Sequence, residues 1–134
     1  MNFLTVYAIN FFNMKKFSFE KLKVWQDAKG LTHLVYKATK YFPSEEKYGL
    51  VSQLRRAVIS VTSNIAEGSS RMSSKDQAHF YHLAFSSLME VLSQIIISVE
   101  LGYIPEEESF RIEISKIANK LNSLRKSSLN PVNK

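Results

Sequence analysis

Cysteine is absent from this chain of 134 residues. Disulfides and thiolate metal sites are thereby excluded, and the composition suits a reducing cytoplasm. Glycine occurs four times and proline three times, too seldom for the many turns of a β fold. These residues instead punctuate long periodic runs, which favours helices. No phosphate-binding loop, nucleophile elbow or Rossmann glycine pattern occurs. Di-iron bundles need Glu-x-x-His pairs, whereas here Glu67 is followed three residues on by Ser70, and Glu90 by Ser93. Asp76, His79 and His82 do share a spacing of three, but they fall on a mostly polar face, where solvated histidines are the commoner outcome. The reading is therefore no enzyme, no metal, no cofactor and no small-molecule substrate.

Charge is missing from residues 1–13, MNFLTVYAINFFN, and the basic pair Lys15-Lys16 follows them. A secretory signal has the opposite order, and about ten apolar residues are too few to span a bilayer. Two readings stand for this stretch: an arm that docks on a membrane surface or a partner, or a start-site artefact with translation beginning at Met14. The second is favoured, and no membrane partner is expected. Acids are missing from residues 115–134. The net charge of +6 divides as +4 over residues 1–48 and +2 over 105–134, with the middle neutral. Such basicity favours encounter with polyanions, although a solvated lysine surface explains it equally well.

What is present is helical periodicity in a single domain. A first helix is expected over Phe19–Tyr41, where Trp25, Ala28, Thr32, Val35 and Thr39 recur in steps of three and four and Pro43 forces an end. Ser44 is the expected N-cap of a second helix, with Glu45 and Glu46 at its positive end and Gly68 as its C-terminal stop. A capping box of Ser74 and Gln77 starts a third helix, which Gly102 ends; Pro105 in a first turn opens a fourth on Phe110, Ile114, Ile117, Leu121 and Leu124. Four helices with short loops predict an all-α, antiparallel up-down-up-down four-helix bundle over residues 17–126. Residues 1–16 are then an N-terminal extension and 127–134 a frayed tail.

The stretch Gly49–Arg71 organises this arrangement. Val51, Leu54, Val58, Val61 and Ile65 form its seam, and Ile59, Thr62 and Ala66 widen the apolar arc to roughly 200°. That is about twice what one bundle member needs, so this helix is expected to be central, to meet a second subunit, or both. Arg55 falls inside the arc and needs a partner. Antiparallel pairing about Arg71 sets Arg55 level with Ser87, so Arg55 or Arg56 is expected to pair with Glu90. The polar line Gln53, Ser60, Asn64 and Glu67 is expected to hydrogen-bond across helices or between subunits rather than to hold a ligand.

Phe19-x-x-Leu22-x-x-Trp25, Phe42-Pro43, Glu46, Gly49-Leu50, Gln53, Arg55-Arg56-Ala57, Ser60, Asn64-Ile65-Ala66-Glu67-Gly68, Arg71, Phe80, Ala84, Ser87 and Glu90 together resemble the four-helix-bundle family of 23S rRNA intervening-sequence proteins. The resemblance runs from about Phe17 to Leu124. It implies a homopentamer of four-helix protomers, in which Gln53, Arg55, Arg56, Ile59, Ser60, Asn64, Glu67, Gly68 and Glu90 serve the shared motif or subunit contacts. The chain is also similar to the accessory variability determinant of diversity-generating retroelements, a basic pentamer that engages a reverse transcriptase and nucleic acid.

Two functions follow from these residues. In a bundle of this topology the start of the first helix lies beside the end of the fourth. Lys15, Lys16, Lys21 and Lys23 then join Lys116, Lys120, Arg125 and Lys126 in one basic patch for RNA or DNA. Aromatics are not interleaved with these cations, so contact with the phosphate backbone is the expected mode. The alternative is a protein-interaction scaffold with no nucleic-acid role.

Overall fold

The computed structural model describes residues 2–130, and over them the chain is all-helical. Five α-helices are found among the described residues, with no strand: α1 Phe3–Asn13, α2 Lys23–Thr39, α3 Leu50–Ser70, α4 Ser74–Glu100 and α5 Glu108–Leu129. Short 3-10 turns at Ser18–Lys21 and Ser44–Glu46 precede α2 and α3. α3 packs on α2 and α4, and α5 packs on α4 and α2. One core lies between them, built from residues such as Leu31 and Val35 of α2, Leu54, Val61 and Ile65 of α3, Leu88 and Ile95 of α4, and Ile117 and Leu121 of α5. Each such side chain contributes roughly 1.5–3 kcal/mol when fully withdrawn from water.

Among the described residues, α1 makes no packing contact with another element. Phe3, Leu4 and Tyr7 are 79%, 73% and 64% exposed. The first long helix is also shorter than its periodicity indicates. Glu20 accepts the N–H of Phe17 at 2.7 Å, and Gln26 Nε2 donates to the Glu20 carbonyl at 2.7 Å. These local bonds tighten residues 18–21 into a 3-10 turn, and extended Leu22 separates it from α2. At the other end of α2 the bonds contract to Tyr41 N–H to Ala38 and Phe42 N–H to Thr39. Phe42 is buried there against Tyr103, with ring centroids 5.3 Å apart.

Several expected caps shift by a few residues. Ser44 begins a 3-10 turn instead of capping α3, whose N-cap is Gly49; the Glu46 carboxylate receives the Leu50 N–H at 3.4 Å. The cap of α4 is Ser73 rather than Ser74, its hydroxyl accepting from the Asp76 N–H at 3.1 Å. Gln77 is drawn away to the Arg71 carbonyl at 3.0 Å. Pro105 lies in the loop ahead of α5, where Glu106 accepts from the Ser109 N–H at 3.0 Å and from its hydroxyl at 2.6 Å. Gly102 does end α4, with a φ of +82° that a side chain would resist. Residues 127–129 are the last turn of α5 rather than a frayed tail, and Ser128 is buried. The rest of that expected tail, residues 131–134, lies outside the described residues.

Gly68 is the larger correction. It sits inside α3, buried, and its backbone is not left-handed. A Cβ at this position would lie 2.8 Å from Cε1 and 3.0 Å from Cδ1 of the buried Tyr81 ring, and 3.2 Å from Cβ of Phe80. Gly68 is therefore a close-approach residue between α3 and α4, not a helix stop. Alanine in place of helical glycine normally stabilises by about 0.5–1 kcal/mol, whereas overpacking costs about 1–3 kcal/mol. Gly68→Ala is accordingly expected to lose about 1–2 kcal/mol in chemical denaturation, and a variant as stable as the parent would contradict the close-approach role.

Candidate nucleic-acid interface

The start of α2 and the end of α5 lie side by side, as expected for the basic cluster. A shallow groove between them is lined by Leu22, Lys23 and Val24 on one wall and by Asn119, Lys120, Ser123, Leu124 and Ser127 on the other. Asp27 anchors this seam. Its side chain is only 9% exposed, and it accepts from Lys23 Nζ at 2.9 Å and from Lys120 Nζ. Burial alone pushes the Asp27 carboxyl up, but the hydrogen bonds and charges of Lys120 and Lys23 outweigh it and hold the group below its ordinary 3.8.

The eight cations are thus not equally available. Lys23 and Lys120 share Asp27, Lys116 pairs with Glu113 at 3.0 Å, and Arg125 Nη1 lies 3.3 Å from His82 Nδ1. Lys15, Lys16, Lys21 and Lys126 are exposed and form no ion pair with the described residues. His79 packs edge-on to Phe80, with centroids 5.5 Å apart. Among the described residues no group of three His, Cys, Asp or Glu is arranged to hold a metal.

Neither Arg55 nor Arg56 pairs with Glu90. Ser60 meets Ser87 at 2.8 Å, and Gln94 Nε2 donates to Gln53 Oε1 at 3.4 Å. This register sets Arg55 level with Leu92, more than a turn from the position that counting outward from Arg71 gives. Arg56 and Glu90 are both exposed. Half-buried Arg55 turns to α2 instead: Nε donates to Thr39 Oγ1 at 3.0 Å, Nη2 donates to the Tyr36 carbonyl at 3.4 Å, and the guanidinium lies 4.5 Å from the centroid of the Tyr36 ring. A cation over the last turn of α2 meets the negative end of the helix dipole, so no carboxylate is needed.

The polar line on α3 divides in two. Gln53 and Ser60 reach across to α4, while Asn64 donates back to the Ser60 carbonyl at 2.9 Å and to its hydroxyl at 3.0 Å. Glu67 pairs within the helix, with Arg71 at 2.8 Å, and Arg71 in turn lies over Phe80. Asp27 and Tyr81 carry contacts that the expected stripes did not single out, and Thr39, expected only as part of the α2 stripe, also accepts from Arg55. Tyr81 follows Phe80 directly, stands in step with buried Ala84, Leu88, Val91 and Ile95, and turns its ring into the empty space at Gly68.

A second surface was also overlooked. His33, Tyr36, Lys37, Lys40 and Tyr41 recur in steps of three and four along the outer face of α2 and its end. With Thr32 and with Ile59 of α3 they line a groove of about 630 Å³. The spacing is legible in the sequence, on the face of α2 opposite its apolar stripe.

Two stability measurements test these assignments. Arg55→Ala is expected to cost about 1–2 kcal/mol, and Glu90→Ala less than ~0.5 kcal/mol; the reverse order would restore the Glu90 pairing. Asp27→Asn is expected to cost about 1 kcal/mol at neutral pH, a modest figure because Lys23 and Lys120 stay 76% and 37% exposed. Because the folded carboxyl is depressed, its contribution is complete above the unfolded value of 3.8 and is lost as pH falls through the lower folded value. Melting curves of parent and variant should therefore converge at acid pH; a gap that persists there would refute the linkage.

No curated protein matches the chain. A family model described as 23S rRNA-intervening sequence protein matches residues 20–124, from the turn before α2 almost to the end of α5 and without α1. That span contains the Asp27 seam, the Gly68–Tyr81 contact and the Ser60–Ser87 register, and on it the chain belongs to the family of 23S rRNA-intervening sequence proteins.

Proposed function

We propose that this chain is a non-enzymatic, cytoplasmic binding protein. In this reading α2–α5 form an up-down-up-down four-helix bundle that assembles as a homopentamer and holds structured RNA or a nucleoprotein by its basic helix ends. The observation that carries this reading is the seam at Asp27, which ties the start of α2 to the end of α5. Lys15, Lys16 and Lys21, which form no ion pair among the described residues, precede one side of that seam, and Lys126, likewise without one among them, follows the other. Each copy adds the same cations, so five copies strengthen a contact that is weak in one. DNA is the alternative polyanion, and a reverse transcriptase is a candidate protein partner.

Apolar surface supports the assembly. Ile97 near the end of α4 and Leu101 just after it are 44% and 53% exposed. α4 is also long and apolar enough by length and composition to cross a membrane, with only 28% of that window buried. We read this surplus as surface that a second copy covers. The same surplus keeps a second reading in view, a scaffold that offers an apolar face to a protein partner and touches no nucleic acid.

Salt-titrated binding to structured RNA and duplex DNA separates the two. Neutralising Lys15, Lys16 and Lys21 with glutamine should weaken binding and lower the slope of log K against log salt by about 2–3. Binding no tighter than that of an unrelated basic protein would leave the scaffold reading. Light scattering that returns a monomer at micromolar concentration would exclude the pentamer.

A further inference from the structure

We propose that the groove on the outer face of α2 takes an unpaired nucleotide of the bound RNA, with its base stacked on Tyr41 and its flanking phosphates held by Lys37 and Lys40. This rests on the nucleic-acid reading and adds to it a second contact of a different kind. The groove sits at the opposite end of α2 from Lys21 and Lys23. Fourteen residues separate Lys23 from Lys37, about 21 Å along a helix. A strand held at the basic seam can cover that distance with a few nucleotides.

The lining residues match the chemistry of a single strand. Tyr41 is 82% exposed, and Lys37, Lys40 and His33 are exposed beside it. No acid lines the groove, so an incoming phosphate meets no repulsion there. Cations in the last turn of a helix complement its dipole and need no ligand to explain them. Tyrosines exposed between those cations, with Ile59 opposite, gain nothing from the dipole. They do match the recurring combination of a cationic track and an aromatic platform, which holds single strands with little regard to sequence.

One wall of the groove is also held in place. Arg55 lies over the Tyr36 ring at 4.5 Å and is itself tied to Thr39 and to the Tyr36 carbonyl. The tyrosine that neighbours Lys37 therefore keeps its position, and ordering it on binding costs less than ordering a free side chain. Tyr41 lies beyond the end of α2 and presents its ring to solvent.

The test uses the full chain, a fluorescent oligouridylate of about 12 nucleotides and a blunt RNA duplex. Tyr41→Ala is expected to weaken oligouridylate binding by on the order of tenfold with an unchanged salt slope, and to leave duplex binding alone. Tyr41→Phe, which keeps the ring, should bind like the parent. Neutralising Lys37 and Lys40 with glutamine should instead lower the single-strand slope by about 1.4. Parent binding to both RNAs with Tyr41→Ala unaltered would overturn the groove and leave the proposed function standing. Failure of the parent to bind either RNA would remove both. A Tyr41→Ala chain that falls to a smaller assembly in light scattering would show the groove to be a subunit contact, which also overturns the proposal.

Discussion

The contact between α3 and α4 sets the terms for the rest of the molecule. Gly68 lets the two helices approach at the point where the Tyr81 ring lies against bare backbone, and the Ser60–Ser87 bond lies eight residues back along α3. Close approach and register are one constraint here, because a helix held near its neighbour at one end and hydrogen-bonded further along has little freedom to slide. The core positions Leu54, Val61, Leu88 and Ile95 face inward in consequence. α2 and α5 then close over the pair, joined to each other through Asp27.

Charge plays two separate parts in this arrangement. At Asp27 a carboxylate with its side chain largely buried is kept ionised by two lysines, so the seam between α2 and α5 is electrostatic at its edge as well as apolar within. At Arg55 the partner is not a carboxylate. The Tyr36 carbonyl, the Thr39 hydroxyl and the face of the Tyr36 ring share the guanidinium between them. An arginine inside an apolar arc has been accommodated without a buried ion pair, and thus without the cost of desolvating a second charge.

The all-helical class and the long runs that became α3, α4 and α5 were legible in the periodicity, because each buries one continuous stripe. Ends were less legible. Ser74 and Ser44 have the right chemistry for caps, yet Ser73 and Gly49 hold those positions, and at α5 the Glu106 carboxylate takes the Ser109 N–H, since neighbouring residues within one turn compete for the same few N–H groups. Gly68 was misread for a related reason. Glycine near the end of a periodic run signals a left-handed stop, and only the tertiary partner Tyr81 shows that empty space, not backbone freedom, is what is used. The partner of Arg55 was missed because counting residues outward from Arg71 gives a symmetric hairpin, and the true pairing is offset by more than a turn. Of the seam between α2 and α5, the meeting of Lys23 with Lys120 was legible from topology, whereas Asp27 between them was not. No periodic rule marks a lone acid on the rim of a helix.

Among the described residues α1 makes no tertiary contact to the other helices, and this separates its thermodynamics from theirs. Eleven residues are fewer than the roughly 12–15 at which even favourable sequences hold a helix unaided in water. Its helicity is therefore conditional on its surroundings, and its opening does not need the core to open. Amide exchange along Phe3–Asn13 would run on a local clock while the protons of α3 and α4 wait for global unfolding. The segment acts as a reporter of whatever apolar surface it meets, and it can order or melt without the rest of the fold registering the change.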